Sequence, residues 1–327
     1  STLMRSSAAS DVYKRQMILI DTQKEEFSKL RDIRVFGRIS HDDRFNGNLL
    51  VIGLGGIGSR TVCNLKGMMV DDITPEDNIH FLMVDSDIPE MEQTIEDSKE
   101  HIGFNALEVL SIYRPNIENI LADGIKKNPV HPNLANWMDA DFPDVTVTKD
   151  GAHGNRQIGR LMFSNAYEDI RMLLFDRLEE IHDKANGNWM DVIIVSSLSG
   201  GTGSGILSDL AYNIRAYGKA KKWANLRIGG CLLMPDVIFG NKSVTQDPEL
   251  MFRMMANGCA ALKEVDYYMK LSEKDDAYIF ESTTHKMVIR ENLFDACMLV
   301  SGKKDSQGYL PEGTILMDTA SSVSYTH

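Results

Sequence analysis

At 327 residues and 43% hydrophobic, the chain has the length of two domains and enough apolar residues for a large core, which places it among soluble globular proteins. A net charge of −12 argues against a general nucleic-acid or membrane surface and leaves room only for a local basic site. No run approaches about eighteen apolar residues and the N-terminus lacks a signal-peptide core, so no membrane insertion is expected and the cytoplasm is the expected location. Cys63, Cys231, Cys259 and Cys297 lie far apart, form no Cys-x-x-Cys pair and read as reduced, buried thiols.

Both ends look foreign. Residues 1–16, with Asp11-Val12-Tyr13-Lys14-Arg15-Gln16, and residues 321–327, ending Val323-Ser324-Tyr325-Thr326-His327, resemble translated sequencing-adaptor read-through and are expected to be non-native. The natural protein is then expected to continue past Asp318. Residues 17–47 read as a polar N-terminal extension in which Lys24 to Leu30 fits a short helix.

Asn48 to Ile52 is the first apolar strand. It runs into Gly53-Leu54-Gly55-Gly56-Ile57-Gly58-Ser59 and a helix with Ile57, Val62, Leu65 and Met69 on one side. Gly53, Gly55 and Gly58 occupy the three places of the dinucleotide fingerprint, a weak signal when it stands alone. Ile79 to Val84 is a second strand ending in Asp85-Ser86-Asp87, where an acid can meet a ribose or a cation. From Ile88 to Asp144 the chain is acidic and helix-prone, with breaks at Pro115, Gly124, Pro129 and Pro132, and reads as two or three helices and a loop. His41, His80, His101, His131, His153, His182 and His285 have no partner at metal-ligand spacing and read as ordinary histidines.

Val145 to Thr148 alternates like a short strand, followed by Gly151-Ala152-His153-Gly154-Asn155-Arg156-Gln157 directly before a helix, a candidate phosphate contact or a plain flexible loop. That helix carries Leu161, Ala166, Ile170, Leu173, Leu174, Leu178 and Ile181 at helical spacing and stops near Gly187. Asp191 to Ser197 is a buried, β-branched strand; Ser199-Gly200-Gly201-Thr202-Gly203-Ser204-Gly205 follows, and then a helix with Ile206, Leu207, Leu210, Ala211 and Ile214. A tight βα turn would explain one glycine. Three, alternating with two hydroxyl residues at a helix start, point to a phosphate cradle, and the lack of a following Lys separates it from a Walker loop.

Leu226 to Met234 is another buried strand, closed by Pro235-Asp236, and Pro248 opens a helix through Met251, Met255, Cys259 and Leu262. Val265 to Met269 and Ala296 to Val300 are further strand candidates separated by a charged stretch. Strands alternating with helices predict an α/β fold, a doubly wound, mainly parallel Rossmann-like sheet with helices on both faces.

Five loops together resemble the tubulin/FtsZ superfamily, and the closest subgroup is the large bacterial tubulin-like proteins. Ser199 to Gly205 is similar to its Gly-Gly-Gly-Thr-Gly-Ser-Gly signature; Gly53 to Ser59, Val84 to Asp87, Gly151 to Arg160 and Leu233 to Pro235 are similar to the other loops, in the same order. The resemblance covers about residues 48–270. It implies a nucleotide-binding domain over 48–270, with 271–320 beginning the connection to a further C-terminal domain. It also implies GTP and Mg2+ as cofactors. Gly53, Gly55, Gly56, Gly58, Ser59, Gly200, Gly201, Thr202, Gly203, Ser204 and Gly205 would hold phosphates. Ala152, Gly154 and Asn155 would meet the terminal phosphate, Pro235 would lie in the fifth loop and Asp87 would place the cation.

Hydrolysis is expected to depend on head-to-tail filament assembly, because in this family a neighbouring subunit supplies an acidic Asn-x-Asp-x-x-Asp/Glu loop. No such loop occurs here, so no catalytic residue is assigned and this stretch is expected to bind without turnover. Arg156-Gln157 also departs from the usual Pro-Glu and implies altered sensing of the γ-phosphate or an added positive contact. Two other readings stay open: an NAD-dependent or adenylating Rossmann enzyme using Gly53 to Gly58, and a non-hydrolysing tubulin-like scaffold.

Overall fold

Apolar runs bounded by glycine loops become the centre of the molecule. A computed structural model describes residues 48–69, 78–98, 103–139, 149–240 and 246–302, with 312, 313, 315, 316 and 319. The expected helix at 24–30 and strand at 145–148 lie outside these residues.

Strands β1 (Leu49–Leu54), β2 (Ile79–Asp85), β3 (Val109–Ser111), β4 (Met190–Ser197), β5 (Leu226–Leu233) and β8 (Ala296–Val300) form one sheet in the order β3-β2-β1-β4-β5-β8, every neighbouring pair parallel. Each residue of β1 is buried, as expected for a central strand covered on both faces. The helices are α1 (Gly55–Met69), α2 (Ile88–Ser98), α3 (Ile117–Ala122), α4 (Arg156–Asn165), α5 (Tyr167–Ala185), α6 (Thr202–Lys221) and α7 (Pro248–Tyr268). Strands β6 (Tyr278–Glu281) and β7 (Lys286–Ile289) make a separate antiparallel hairpin. Leu49, Val51, Val62, Leu65, Phe81, Val195 and Leu233 share one buried cluster that fixes α1 on the sheet.

The α/β, doubly wound parallel expectation holds, with four differences of detail. Val265 to Tyr268 is the last turn of α7 rather than a strand. Asp247 caps that helix by accepting from Glu249 N and Leu250 N, Pro248 stands at its start, and Cys259, Leu262 and Val265 are buried at helical spacing. Strand β3, three residues long, carries no periodicity of its own and exists through its pairing with Met83 to Asp85. The helix after Asn155 is two helices, broken at Ala166. The charged stretch before β8 holds the hairpin, whose inward residues Tyr278, Phe280, Met287 and Ile289 are buried. β8 adds a sixth strand beyond residue 270.

All four cysteines are free and buried. Among the described residues, no helix is long and apolar enough to cross a membrane.

Candidate nucleotide site

Because every strand of the sheet runs the same way, the loops after β1, β2 and β4 leave from one edge. β1 lies between β2 and β4, the point where the winding of the sheet reverses, and ligands of such sheets bind in the crevice there.

Most glycines of these loops serve close packing. A Cβ on Gly53 would lie 2.4 Å from Gly58 O, one on Gly58 2.5 Å from Val195 O, and one on Gly203 2.7 Å from Leu54 O. Gly55, at φ +69°, requires glycine for its backbone and faces Gly203 N. A Cβ on Gly201 would come within 2.7 Å of Asn155 N and 3.0 Å of Ala152 Cβ, and one on Gly205 within 2.5 Å of Arg156 O. The first and third loops are therefore each packed against the backbone of the cradle loop. Gly200 is the exception in the cradle: nothing lies within 4 Å of its would-be Cβ. Its face is open to an approaching group.

The helix starts differ in charge, including at this edge. The first turns of α1, α4 and α6 contain no acid, whereas those of α2, α3, α5 and α7 carry Glu90, Glu118, Glu168 with Asp169, and Glu249. At α1, Glu90 of α2 lies against Gly56 and pairs with Arg60. The N-termini of α4 and α6 keep their partial positive charge for an anion.

Side chains of the site are largely committed to one another. Asn155 caps α4 through Gln157 N at 3.0 Å and Ile158 N at 3.2 Å, leaving its loop's backbone as the face for a ligand. His153 and Gly154 on that loop both have positive φ. Thr202 Oγ1 meets Ser86 Oγ at 2.5 Å, and Ser204 Oγ donates to Gly200 O at 2.5 Å. Asp87 Oδ1 caps α2 by accepting from Glu90 N at 2.9 Å. Pro235 is buried against α7, where a Cβ on Gly258 would fall 1.9 Å from its Cγ.

Sequence reasoning missed Asn257, whose Nδ2 donates to Gly154 O at 2.7 Å and Ser199 O at 2.9 Å and so ties α7 to two loops. Nothing around it in the sequence signals this role. It also missed Asp209, buried on α6, which receives Arg160 Nε at 2.9 Å and Nη2 at 3.1 Å and the Tyr278 hydroxyl.

Two buried polar atoms in these loops, Ser59 Oγ and Asp85 Oδ2, have no hydrogen-bond partner among the described residues. No group of three or more His, Cys, Asp or Glu residues among the described ones can hold a metal by itself. A Mg2+ ion here fits only in the manner usual for nucleotide sites, with one or two carboxylates and the remaining ligands from phosphate and water.

Asp85 and His80, both on β2, give opposite pH dependences. Burial, and then Glu90, push the Asp85 carboxyl from 3.8 up to about 7. Burial, and then Arg177, push His80 from 6.5 down to about 4. On acidification the folded chain protonates Asp85 first, which adds stability between about 7 and 3.8, while the unfolded chain protonates His80 first, which removes stability between 6.5 and about 4. Tm measured against pH is expected to fall more steeply below pH 6.5 in Asp85→Asn than in wild type, and less steeply in His80→Asn. Parallel curves for all three would contradict these assignments.

A glycine-rich loop at the switch point of a parallel α/β sheet, with the acid-free starts of α4 and α6 beside it, is thus the defining feature of the site. Residues 50–319 match the protein-family model described as tubulin like, and the chain belongs to that family, as its five loops imply. No curated protein matches the sequence. Among solved structures, CetZ from Methanosaeta thermophila strain DSM 6194 is 13% identical over 85% of this chain and 53% of its own, at a TM-score of 0.45. A GTPγS-form protofilament of TubZ from Bacillus thuringiensis serovar israelensis is likewise 13% identical, over 85% of this chain and 56% of its own, at 0.45. CetZ2 from Haloferax volcanii, solved as a GTPγS-bound protofilament, gives 13%, 85%, 57% and 0.44. The chain spans little more than half the length of these proteins.

Proposed function

We propose that this chain is the GTP-binding domain of a tubulin-like protein, with the nucleotide's phosphates seated on Gly200 to Gly205 and Gly53 to Ser59. The observation that carries the reading is the convergence of three loops on one edge, with Gly200 open and the starts of α4 and α6 free of acid. Membership of the tubulin-like family supports guanine nucleotide over NAD, and the dehydrogenase or adenylating reading leaves the cradle without a role.

In this reading the backbone of Ala152, Gly154 and Asn155 meets the terminal phosphate. Asp87, whose Oδ1 caps α2, would hold Mg2+ at the nucleotide's phosphates. The bound ion would supply charge stabilisation for transfer of the phosphoryl group to water. The nucleotide domain, drawn at 48–270 from sequence, is taken to residue 300 because β8 completes its sheet. Beyond it we place the connection to a further domain, through which the whole protein assembles head to tail into cytoplasmic filaments and hydrolyses GTP. The acidic net charge supports no general nucleic-acid partner.

Equilibrium binding of GTP, ATP and NAD in the presence of Mg2+ tests the reading. Selective GTP binding is expected; NAD preference would move the site to the Gly53 loop alone.

A further inference from the structure

Arg156 stands where the loop for the terminal phosphate becomes α4, yet its side chain does not turn toward the loop. Nε donates to Ser204 Oγ at 3.1 Å, Nη2 donates to Ser204 O at 3.0 Å, and Nη1 donates to Glu264 Oε1 at 3.0 Å, with a second contact to Glu264 Oε2. Ser204 in turn donates to Gly200 O in the cradle. One guanidinium therefore joins the terminal-phosphate loop, the first turn of the cradle helix and α7.

Seven residues before Glu264, two turns back along the same face of α7, Asn257 holds Gly154 O and Ser199 O. Two side chains of α7 thus grip the same two loops. Behind Arg156 lies a polar cavity of about 150 Å³ lined by Trp137, Gln157, Ser208, Tyr268 and Tyr278 among others, which gives the guanidinium room to shift with the loop. Its two anchors are unequal. Arg156 is 17% exposed and Glu264 43% exposed, so the α7 end of the link is the one that can be released without opening the core.

We propose that the Arg156–Glu264 pair is a latch through which α7 responds to the third phosphate of a bound nucleotide, making Arg156 the positioning residue that sets discrimination between nucleoside triphosphate and diphosphate. The inference rests on the nucleotide reading above. A terminal phosphate on the Gly154–Asn155 backbone fixes that loop, Arg156 follows at the next residue, and α7 is held through Glu264. A diphosphate leaves the loop untouched and α7 free to move. Coupling of this kind is reciprocal, so cutting the latch at its far end must weaken triphosphate binding although Glu264 lies outside the cradle.

The test measures Kd for GTP and GDP, with Mg2+, on the whole chain and on Glu264→Gln, Arg156→Ala and Arg156→Lys. Hydrogen exchange of α7 is followed in the same samples. Glu264→Gln is expected to lose about fivefold or more in GTP affinity with GDP affinity unchanged, and Arg156→Ala and Arg156→Lys, which also release Ser204, to lose more affinity for GTP than for GDP, Lys failing to rescue because it cannot bridge Ser204 and Glu264 together. In wild type GTP, but not GDP, is expected to protect the amides of Pro248 to Tyr268, and Glu264→Gln is expected to erase that difference. Equal losses for both nucleotides would mean that Arg156 is merely structural, and a wild-type GTP/GDP ratio in Glu264→Gln would overturn the latch. Wild-type protein that binds neither nucleotide overturns the site reading itself, a result distinct from either.

Discussion

Replacing Asp209 by Ala is expected to cost about 3–5 kcal/mol, the range found when one partner of a buried ion pair is removed. The Asp209 side chain is 1% exposed and takes both the Arg160 guanidinium, itself 26% exposed, and the Tyr278 hydroxyl, so its loss leaves a half-buried cation and a buried phenol without their partner. Burial alone would make the Arg160 guanidinium easier to deprotonate, and the charge of Asp209 more than reverses this. Tyr278 is pushed well above its ordinary range by burial and then by Asp209. Arg160 lies one turn beyond Arg156 on α4, so Asp209 also keeps the start of α4 seated on the cradle helix. Urea unfolding measures the effect. Asp209→Asn, which keeps one acceptor oxygen, should lose less, and an Ala variant within about 1 kcal/mol of wild type would show that the pair contributes little.

Gly203→Ala is expected to destabilise the chain by about 1–3 kcal/mol and to weaken nucleotide binding sharply, because the added methyl has no room. It would sit 2.7 Å from both Leu54 O and Ser196 Oγ, and the first of these is strand backbone that cannot step aside. The cradle would separate from the first loop. Gly229→Ala on β5 is the control, since its methyl meets neighbours only at 3.9 Å or more and should leave unfolding and binding near wild type. Equal behaviour of the two variants in thermal unfolding would mean that contact between the two loops is not what holds the cradle.

How much of this was legible in the sequence follows from the range of each interaction. β1, β2, β4 and β5 are continuous apolar runs next to glycines, a signal contained within each segment. Val265 to Tyr268 misled for the same reason: β-branched and aromatic residues look strand-like locally, and the cap at Asp247 that starts the helix lies eighteen residues earlier. The glycine loops were visible, but their division of labour was not. Whether a glycine admits another backbone or a ligand depends on what the fold brings opposite, and here that separates Gly203 from Gly200. Acid-free helix starts could have been read from sequence at α4 and α6 once their boundaries were known. Asn257, Glu264 and Tyr278 could not, since their partners are 58 to 108 residues away.

Gly200 gives the most direct test of the central claim that the cradle seats a nucleotide. A Cβ placed there has no neighbour within 4 Å, so Gly200→Trp should change stability by no more than about 1 kcal/mol while its indole fills the space meant for phosphate. Titration of wild type and Gly200→Trp with labelled GTP and Mg2+, beside a thermal melt of each, is the measurement. Loss of GTP binding at an unchanged Tm is the predicted result. GTP binding retained by the tryptophan variant, or binding of NAD or ATP that ignores it, would contradict the account.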